Sequence, residues 1–192
     1  MISDELKQWR KSERERLIAE RLAIAPAERR AMSERIAAGI EREIGDVRDR
    51  TVSIYWPFRG EPDLRAFAGR VNERGGRIAL PIVVRAGAPL MFRLWKQGDP
   101  LEKGVWNIPI PAADAPEAVP DVVIAPVVGF DPRRYRLGYG GGFFDRTLAG
   151  LGGKPLTVGI GFSQQAIETF RPHEHEIPMN LIVTEEGRRV AR

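Results

Sequence analysis

The chain has 192 residues, 43% of them apolar, enough to bury a real core in one domain or in one domain with a helical appendage. Its formal charge of +4, from 30 Lys and Arg against 26 Asp and Glu, is small and interspersed, unlike the one-sided charge of a general nucleic-acid binder. The absence of cysteine excludes a disulfide framework, a thiolate zinc site and a cysteine nucleophile, and the longest buried-looking run, VVIAPVVGF, is too short to cross a bilayer.

The N-terminal stretch MISDELKQWRKSERER has no apolar signal core, so a cytoplasmic protein without a membrane partner is expected. Residues from about Ser3 to Ile24 are predicted helical, with Leu6, Trp9, Leu17 and Ile24 on one face. Lys7, Arg10, Arg14 and Arg21 form a basic ridge beside that stripe, which would ordinarily be a solvated helix face. After Pro26, a second helix carries Met32, Ile36, Ile40 and Ile44 at four-residue spacing, so the first 46 residues are expected to make a helical hairpin. From Thr51 the pattern changes to short β-rich runs: TVSIYW, RIALPIVV, PLMFRLW, VVIAPVVGF, LTVGIGF and NLIVT. Helices are expected near Leu64 to Arg74, after the glycine loop, and around Gln164 to Phe170. Strands alternating with helices imply an α/β fold over residues 51–192, with a largely parallel sheet flanked by helices and a binding crevice at the carboxyl ends of its strands.

The stretch RLGYGGGFFDR, Arg136 to Arg146, follows the apolar run VVIAPVVGF and precedes a helix. That is where backbone N–H groups and a helix N-terminus can hold phosphate oxygens. It is not a P-loop, because no Gly-Lys-Ser/Thr follows, and it lacks the third glycine of the dinucleotide fingerprint. Asp145 is placed to reach a metal ion on the phosphates, and Arg136 and Arg146 to neutralise charge on a moving phosphoryl group. The pattern fits equally a glycine-rich tight turn, with Asp145 set against the helix dipole and Arg146 in solvent.

Residue identity adds to this. The segment DVVIAPVVGFDPRRYRLGYGGGFFDRTL, continuing to GIGFSQQ and EHEIPMNLIVTEEG, resembles the 5-formyltetrahydrofolate cyclo-ligase family, and PAERR, FRGEPDL and WNIPIP agree upstream. The resemblance implies an ATP-dependent ring closure: the formyl oxygen of 5-formyltetrahydrofolate is phosphorylated, N10 attacks the activated carbon, and phosphate leaves as 5,10-methenyltetrahydrofolate forms. It also implies site residues. Arg10, Arg14 and the run Arg136, Leu137, Gly138, Tyr139, Gly140, Gly141, Gly142, Phe143 and Phe144 would bind ATP. Glu61 and Trp106 would bind folate, with Tyr139, Gly140, Gly141, Gly142 and Phe143 nearby. Arg136 and Asp145 would be catalytic, and Asp145 and Glu176 would hold magnesium. From the residues alone, the plain alternatives are that Glu61 begins a helix as a dipole-stabilising acid and that Trp106 is core, and Arg93 is a weaker phosphate candidate on an alternating strand.

Where that family usually reads His-Asp-Ile-Pro-Val-Asp, this chain has His175, Glu176, Ile177, Pro178, Met179 and Asn180. Glu176 thus replaces one acid with a longer one, and Asn180 removes a second. Phe143 and Phe144 stand where tyrosine is common. His173 and His175 lie at i, i+2 beside prolines, an extended segment with no third ligand evident, so no zinc site is expected. The expected partners are a small-molecule folate and ATP, with a monomer or weak homodimer and no nucleic acid. The alternatives are a paralogous ligase acting on another formyl or carboxyl compound, and a non-catalytic protein binding folate, or RNA through the basic first helix.

Overall fold

The computed structural model describes residues 3–189. Helix α1 spans Asp4–Ala23, and its start is fixed by the Ser3 side chain accepting a hydrogen bond from the Leu6 N–H at 3.2 Å, with Asp4 and Glu5 in the first turn. Helix α2, Pro26–Ile44, begins with a proline whose missing N–H costs nothing there and ends at Gly45. Strand β1 is Thr51–Ser53, helix α3 Arg65–Glu73, β2 Arg77–Val83 and β3 Leu90–Leu94. Strands β4, Leu101–Lys103, and β5, Pro109–Pro111, form a small hairpin around a 3-10 turn at Val105–Asn107. Then come β6, Val122–Pro126, β7, Gly129–Phe130, β8, Arg136–Leu137, and helix α4, Phe143–Gly150. Strands β9, Leu156–Ile160, β10, Leu181–Thr184, and β11, Gly187–Arg189, complete the order.

The main sheet has seven strands in the order β11-β10-β9-β6-β1-β2-β3. The inner pairs are parallel, and only the two edge strands, β3 and β11, run antiparallel to their neighbours. Buried parallel strands need apolar residues on both faces, and β6 and β10 are accordingly near-continuous apolar runs. The chain passes from β1 to β2 on one side and then returns to β6 on the other. This reversal opens a crevice beyond the carboxyl ends of β1 and β6.

Helix α2 packs its Met32, Ile36, Ile40 and Ile44 seam into the main core with Val52, Phe67, Ile124 and Val183. Each such side chain contributes about 2 kcal/mol by burial, and truncating Ile40 to alanine would cost about 2–5 kcal/mol. The expected N-terminal helices are present, but they do not share one core. Leu17 of α1 belongs instead to a cluster with Val128, Leu137 and Phe170. Gly129 permits this approach, since a Cβ there would lie 2.7 Å from the Leu17 side chain. Helix α1 is thus docked against the segments that follow β6.

Three expected elements are shorter than their patterns. The TVSIYW strand ends at Ser53, and VVIAPVVGF divides into β6 and β7, which belongs to a separate two-stranded sheet with β8. The segment Gln164 to Phe170 holds only a 3-10 turn, Ser163–Gln165. There the buried Gln165 side chain accepts from the Phe162 N–H and donates to the Val128 carbonyl at 2.6 Å, replacing helical bonds with local ones.

Candidate active site

A cleft of about 710 Å³ opens at the carboxyl ends of β1 and β6. Its walls come from stretches distant in sequence, among them α1 through Arg10 and Arg14, the β1–α3 turn through Phe58 and Glu61, the β4–β5 hairpin, the glycine loop 136–146 and the segment 170–177. Trp106 also lines it. All of the expected site residues therefore border one cavity, and Glu61 and Asp145 share it. Arg93 does not border it. It lies on β3 and donates to the Ala112 carbonyl at 3.3 Å.

Helix α4 starts at the glycine loop. Gly142 is its N-cap, with φ 62°, a conformation in which an L side chain would be strained. No side chain caps this end, so the N–H groups of its first turn keep their capacity for an anion. Arg136, buried on β8, donates to Asp145 Oδ1 at 2.9 Å and to the Ile177 carbonyl at 3.1 Å. The Ile177 N–H also donates to Asp145 Oδ1, at 3.1 Å. Burial pushes the Arg136 guanidinium below its usual pKa, and Asp145 opposes that shift. Arg146 donates to the Gly141 carbonyl and lies over the Phe143 ring.

From α1, Arg14 Nε donates to the Gly138 carbonyl at 2.7 Å, and its pKa is held down by burial and then by Arg10. Arg10 is buried over the Phe170 ring and forks onto both Glu176 oxygens, at 2.8 and 2.9 Å. Arg21, expected in solvent, is fully buried. Its three donors reach the Arg59 carbonyl at 2.9 Å, the Val127 carbonyl at 3.3 Å and the Tyr139 hydroxyl at 2.7 Å. A signal for this existed in the helical phase, because Arg10, Arg14, Leu17 and Arg21 fall within about 60° of one face. Arg10, Arg14 and Arg21 therefore point inward, while Lys7 stays exposed and pairs with Asp4.

Glu61 is buried at the end of the cleft. It accepts from the Tyr139 hydroxyl at 2.9 Å and from the Phe58 N–H at 2.9 Å. Burial raises its pKa from 4.5 to about 7, an effect that Arg21, the Phe58 N–H and Tyr139 partly offset. Burial likewise raises the Tyr139 pKa, keeping its proton on as a donor. Phe58 and Trp106 stack nearly parallel, 10° apart with centroids at 6.2 Å. Trp106 is 56% exposed and sits at φ 56°, so it is a flat wall at the rim and not core.

Asn180 hydrogen-bonds Thr157 at the start of β9 and does not border the cleft. Its replacement of an acid therefore acts on the joint between β9 and β10. The histidine pair does have a third donor that spacing did not reveal: Glu174 Oε1 lies 3.6 Å from His175 Nε2 and 3.9 Å from His173 Nε2. Asp145 and Glu176 offer the hard carboxylate oxygens that magnesium prefers, and both border the same cavity as the glycine loop.

Among the described residues no helix is long and apolar enough to cross a membrane. The family model described as "5-formyltetrahydrofolate cyclo-ligase family" matches residues 6–185. A 5-formyltetrahydrofolate cyclo-ligase of Escherichia coli strain K12 is 31% identical over 170 residues, 85% of this chain and 93% of its own. That of Mycolicibacterium smegmatis is 30% identical over 145 residues, 70% of this chain and 73% of its own. Among solved structures, the 5,10-methenyltetrahydrofolate synthetase of Aquifex aeolicus superposes with a TM-score of 0.80 at 26% identity, covering 95% of this chain and 93% of that one. With the glycine loop, the inward arginines and the buried glutamate around one cleft, and a family match across almost its whole length, the chain belongs to the 5-formyltetrahydrofolate cyclo-ligase family.

Proposed function

We propose that this protein closes 5-formyltetrahydrofolate to 5,10-methenyltetrahydrofolate at the expense of ATP. The observation that carries the reading is the single cleft lined by an uncapped helix start, by four arginines, Arg10, Arg14, Arg136 and Arg146, and by a buried carboxyl group, Glu61. The first set suits phosphates. The second suits a reduced pterin, whose amide N–H and exocyclic amino group present two adjacent donors that an ionised carboxylate can accept.

The chemistry asks for positioning and charge stabilisation more than for a nucleophilic side chain. The formyl oxygen attacks the γ-phosphorus and ADP leaves. N10 then attacks the formyl carbon and loses its proton, and the C–O bond breaks to release phosphate. Arg136 and Arg146 would neutralise charge on the moving phosphoryl group, while Arg14 holds the glycine loop through Gly138. The plane of Trp106 and Phe58 gives the flat ring system a stacking surface and covers it from water. Asp145 would hold magnesium, and Glu176 would join it on exchanging Arg10, which takes both its oxygens here; the ion would draw charge from phosphate oxygens.

The test is to incubate the purified chain with 5-formyltetrahydrofolate, ATP and magnesium, following methenyl absorbance and ADP together. Methenyl product that requires both ATP and magnesium is expected. ADP release without methenyl product would point to a different formyl or carboxyl substrate, and neither signal from a folded protein would overturn the reading.

A further inference from the structure

The fully buried Arg21 is not explained by nucleotide binding, because it does not border the cleft. Burying a guanidinium without a partner costs several kcal/mol, so each of its three nitrogens must find an acceptor. They find two backbone carbonyls and one hydroxyl, and the Glu61 carboxyl group stands just behind that hydroxyl. The result is a directed chain: Arg21 donates to the Tyr139 oxygen, so the Tyr139 proton is turned toward Glu61 Oε1. The same guanidinium holds the carbonyl of Arg59, two residues before Glu61, and that of Val127, just past β6.

We propose that Arg21 is a positioning residue for folate recognition: it fixes Tyr139 and the 58–61 turn so that Glu61 meets the pterin donors as an oriented carboxylate. The inference rests on the folate reading above and extends it to a residue that never touches substrate. Other charged and titratable groups around Glu61 do not take this part. From its own turn, Arg59 lies over the Phe58 and Tyr139 rings and Asp63 pairs with Arg65. From the end of β1, Tyr55 donates to the Pro62 carbonyl. From α2, Arg29 lies against Gly60 and donates to the Arg21 carbonyl. The favourable charge acting most strongly on Glu61 is that of Arg21.

The experiment uses the full chain and the variants Arg21→Met, Arg21→Lys and Tyr139→Phe, each checked by thermal melting. Binding of 5-formyltetrahydrofolate without ATP is followed by tryptophan fluorescence, and KM for each substrate and the pH profile of kcat/KM by methenyl absorbance. In Arg21→Met, the folate Kd and KM should rise about tenfold, the ATP KM should stay within about twofold, and the midpoint at which kcat/KM rises with pH should move up by about one unit. Arg21→Lys should recover most of the midpoint shift because it keeps the charge, and less of the affinity because it lacks the fork. Tyr139→Phe, which removes only the hydroxyl joining the two groups, should raise the folate Kd and KM in the same way and move the midpoint up by less than Arg21→Met, because the Arg21 charge remains; it keeps the proposal testable even if Arg21→Met fails to fold. Equal losses for ATP and folate, or an unmoved pH midpoint in folded Arg21→Met or Tyr139→Phe, would overturn the proposal while leaving the activity assigned. A wild-type chain that neither binds nor converts the folate would overturn both.

Discussion

Arg10 and Glu176 lie 166 positions apart and meet as a two-pronged ion pair, with guanidinium donors at 2.8 and 2.9 Å from the two carboxylate oxygens. The pair pins the first helix to the segment that also carries Ile177, whose N–H and carbonyl bond Asp145 and Arg136. A change at either member should therefore reach the glycine loop.

Removing one partner leaves the other charge largely buried with one hydrogen bond, from the His173 N–H to Glu176 or from Arg10 to the Arg171 carbonyl. Arg10→Ala is expected to cost about 2–3 kcal/mol of stability and to raise the KM for ATP, and the pair should show a coupling of at least about 1 kcal/mol in a double-mutant cycle with Glu176→Ala. Urea unfolding of the four proteins measures this. Strictly additive losses would show that the pair is only a surface contact.

Asp145→Asn keeps the shape of the side chain but takes the negative charge from beside Arg136. A fall in kcat of roughly a hundredfold at saturating ATP is expected, with more magnesium needed for half the maximal rate. Steady-state kinetics across a magnesium titration would decide it, and wild-type behaviour would remove Asp145 from the site.

Glu61 makes stability depend on pH in a stated direction. Its pKa is about 7 when folded and 4.5 ordinarily, so between these values the folded chain keeps a proton that the unfolded chain releases. Glu61 costs nothing below pH 4.5, and its contribution to stability falls by about 3 kcal/mol as pH rises to 7 and beyond. Glu61→Gln abolishes this titration. Relative to the native chain, the variant should gain about 3 kcal/mol on going from pH 4.5 to pH 8, read from chemical unfolding at the two ends. A difference that does not change with pH would mean that Glu61 is ionised in the folded protein well below neutrality.

Trp106 holds a left-handed backbone at the cleft rim, a conformation that costs a non-glycine residue about 1 kcal/mol. Trp106→Gly should relieve that strain and leave stability unchanged or slightly higher, while the KM for the folate rises about tenfold through loss of the stacking wall. A melting point lowered by several degrees with an unchanged KM would instead make Trp106 a structural residue.

Much of the fold was legible in the chain because its signals are local. The four-residue seam of α2, Pro26 at its start and the apolar run of β10 are found where expected, and the run VVIAPVVGF holds β6 in its first half. The site was legible where residue identity was specific, in RLGYGGGFFDR, and where a helix face aligned Arg10 with Arg14. Arg21 was misread because a charge on a helix is ordinarily solvated, and only the carbonyls of Arg59 and Val127 and the hydroxyl of Tyr139 make its burial possible. The i, i+2 spacing of His173 and His175 beside prolines implied an extended path, whereas a turn brings the Glu174 carboxylate to both rings.

The sequence by itself thus determined the main helices and inner strands, their order and the bare glycine loop before a helix, since periodicity and backbone freedom act within a few residues. Which strands are neighbours, that Glu61 faces Tyr139, and that Arg10 and Arg21 turn inward were decided by the reversal of strand order between β1 and β6 and by the docking of α1 beside it. Those contacts join residues 78 to 166 positions apart, and they form only because burying the apolar faces of sheet and helix brings these loops to one edge.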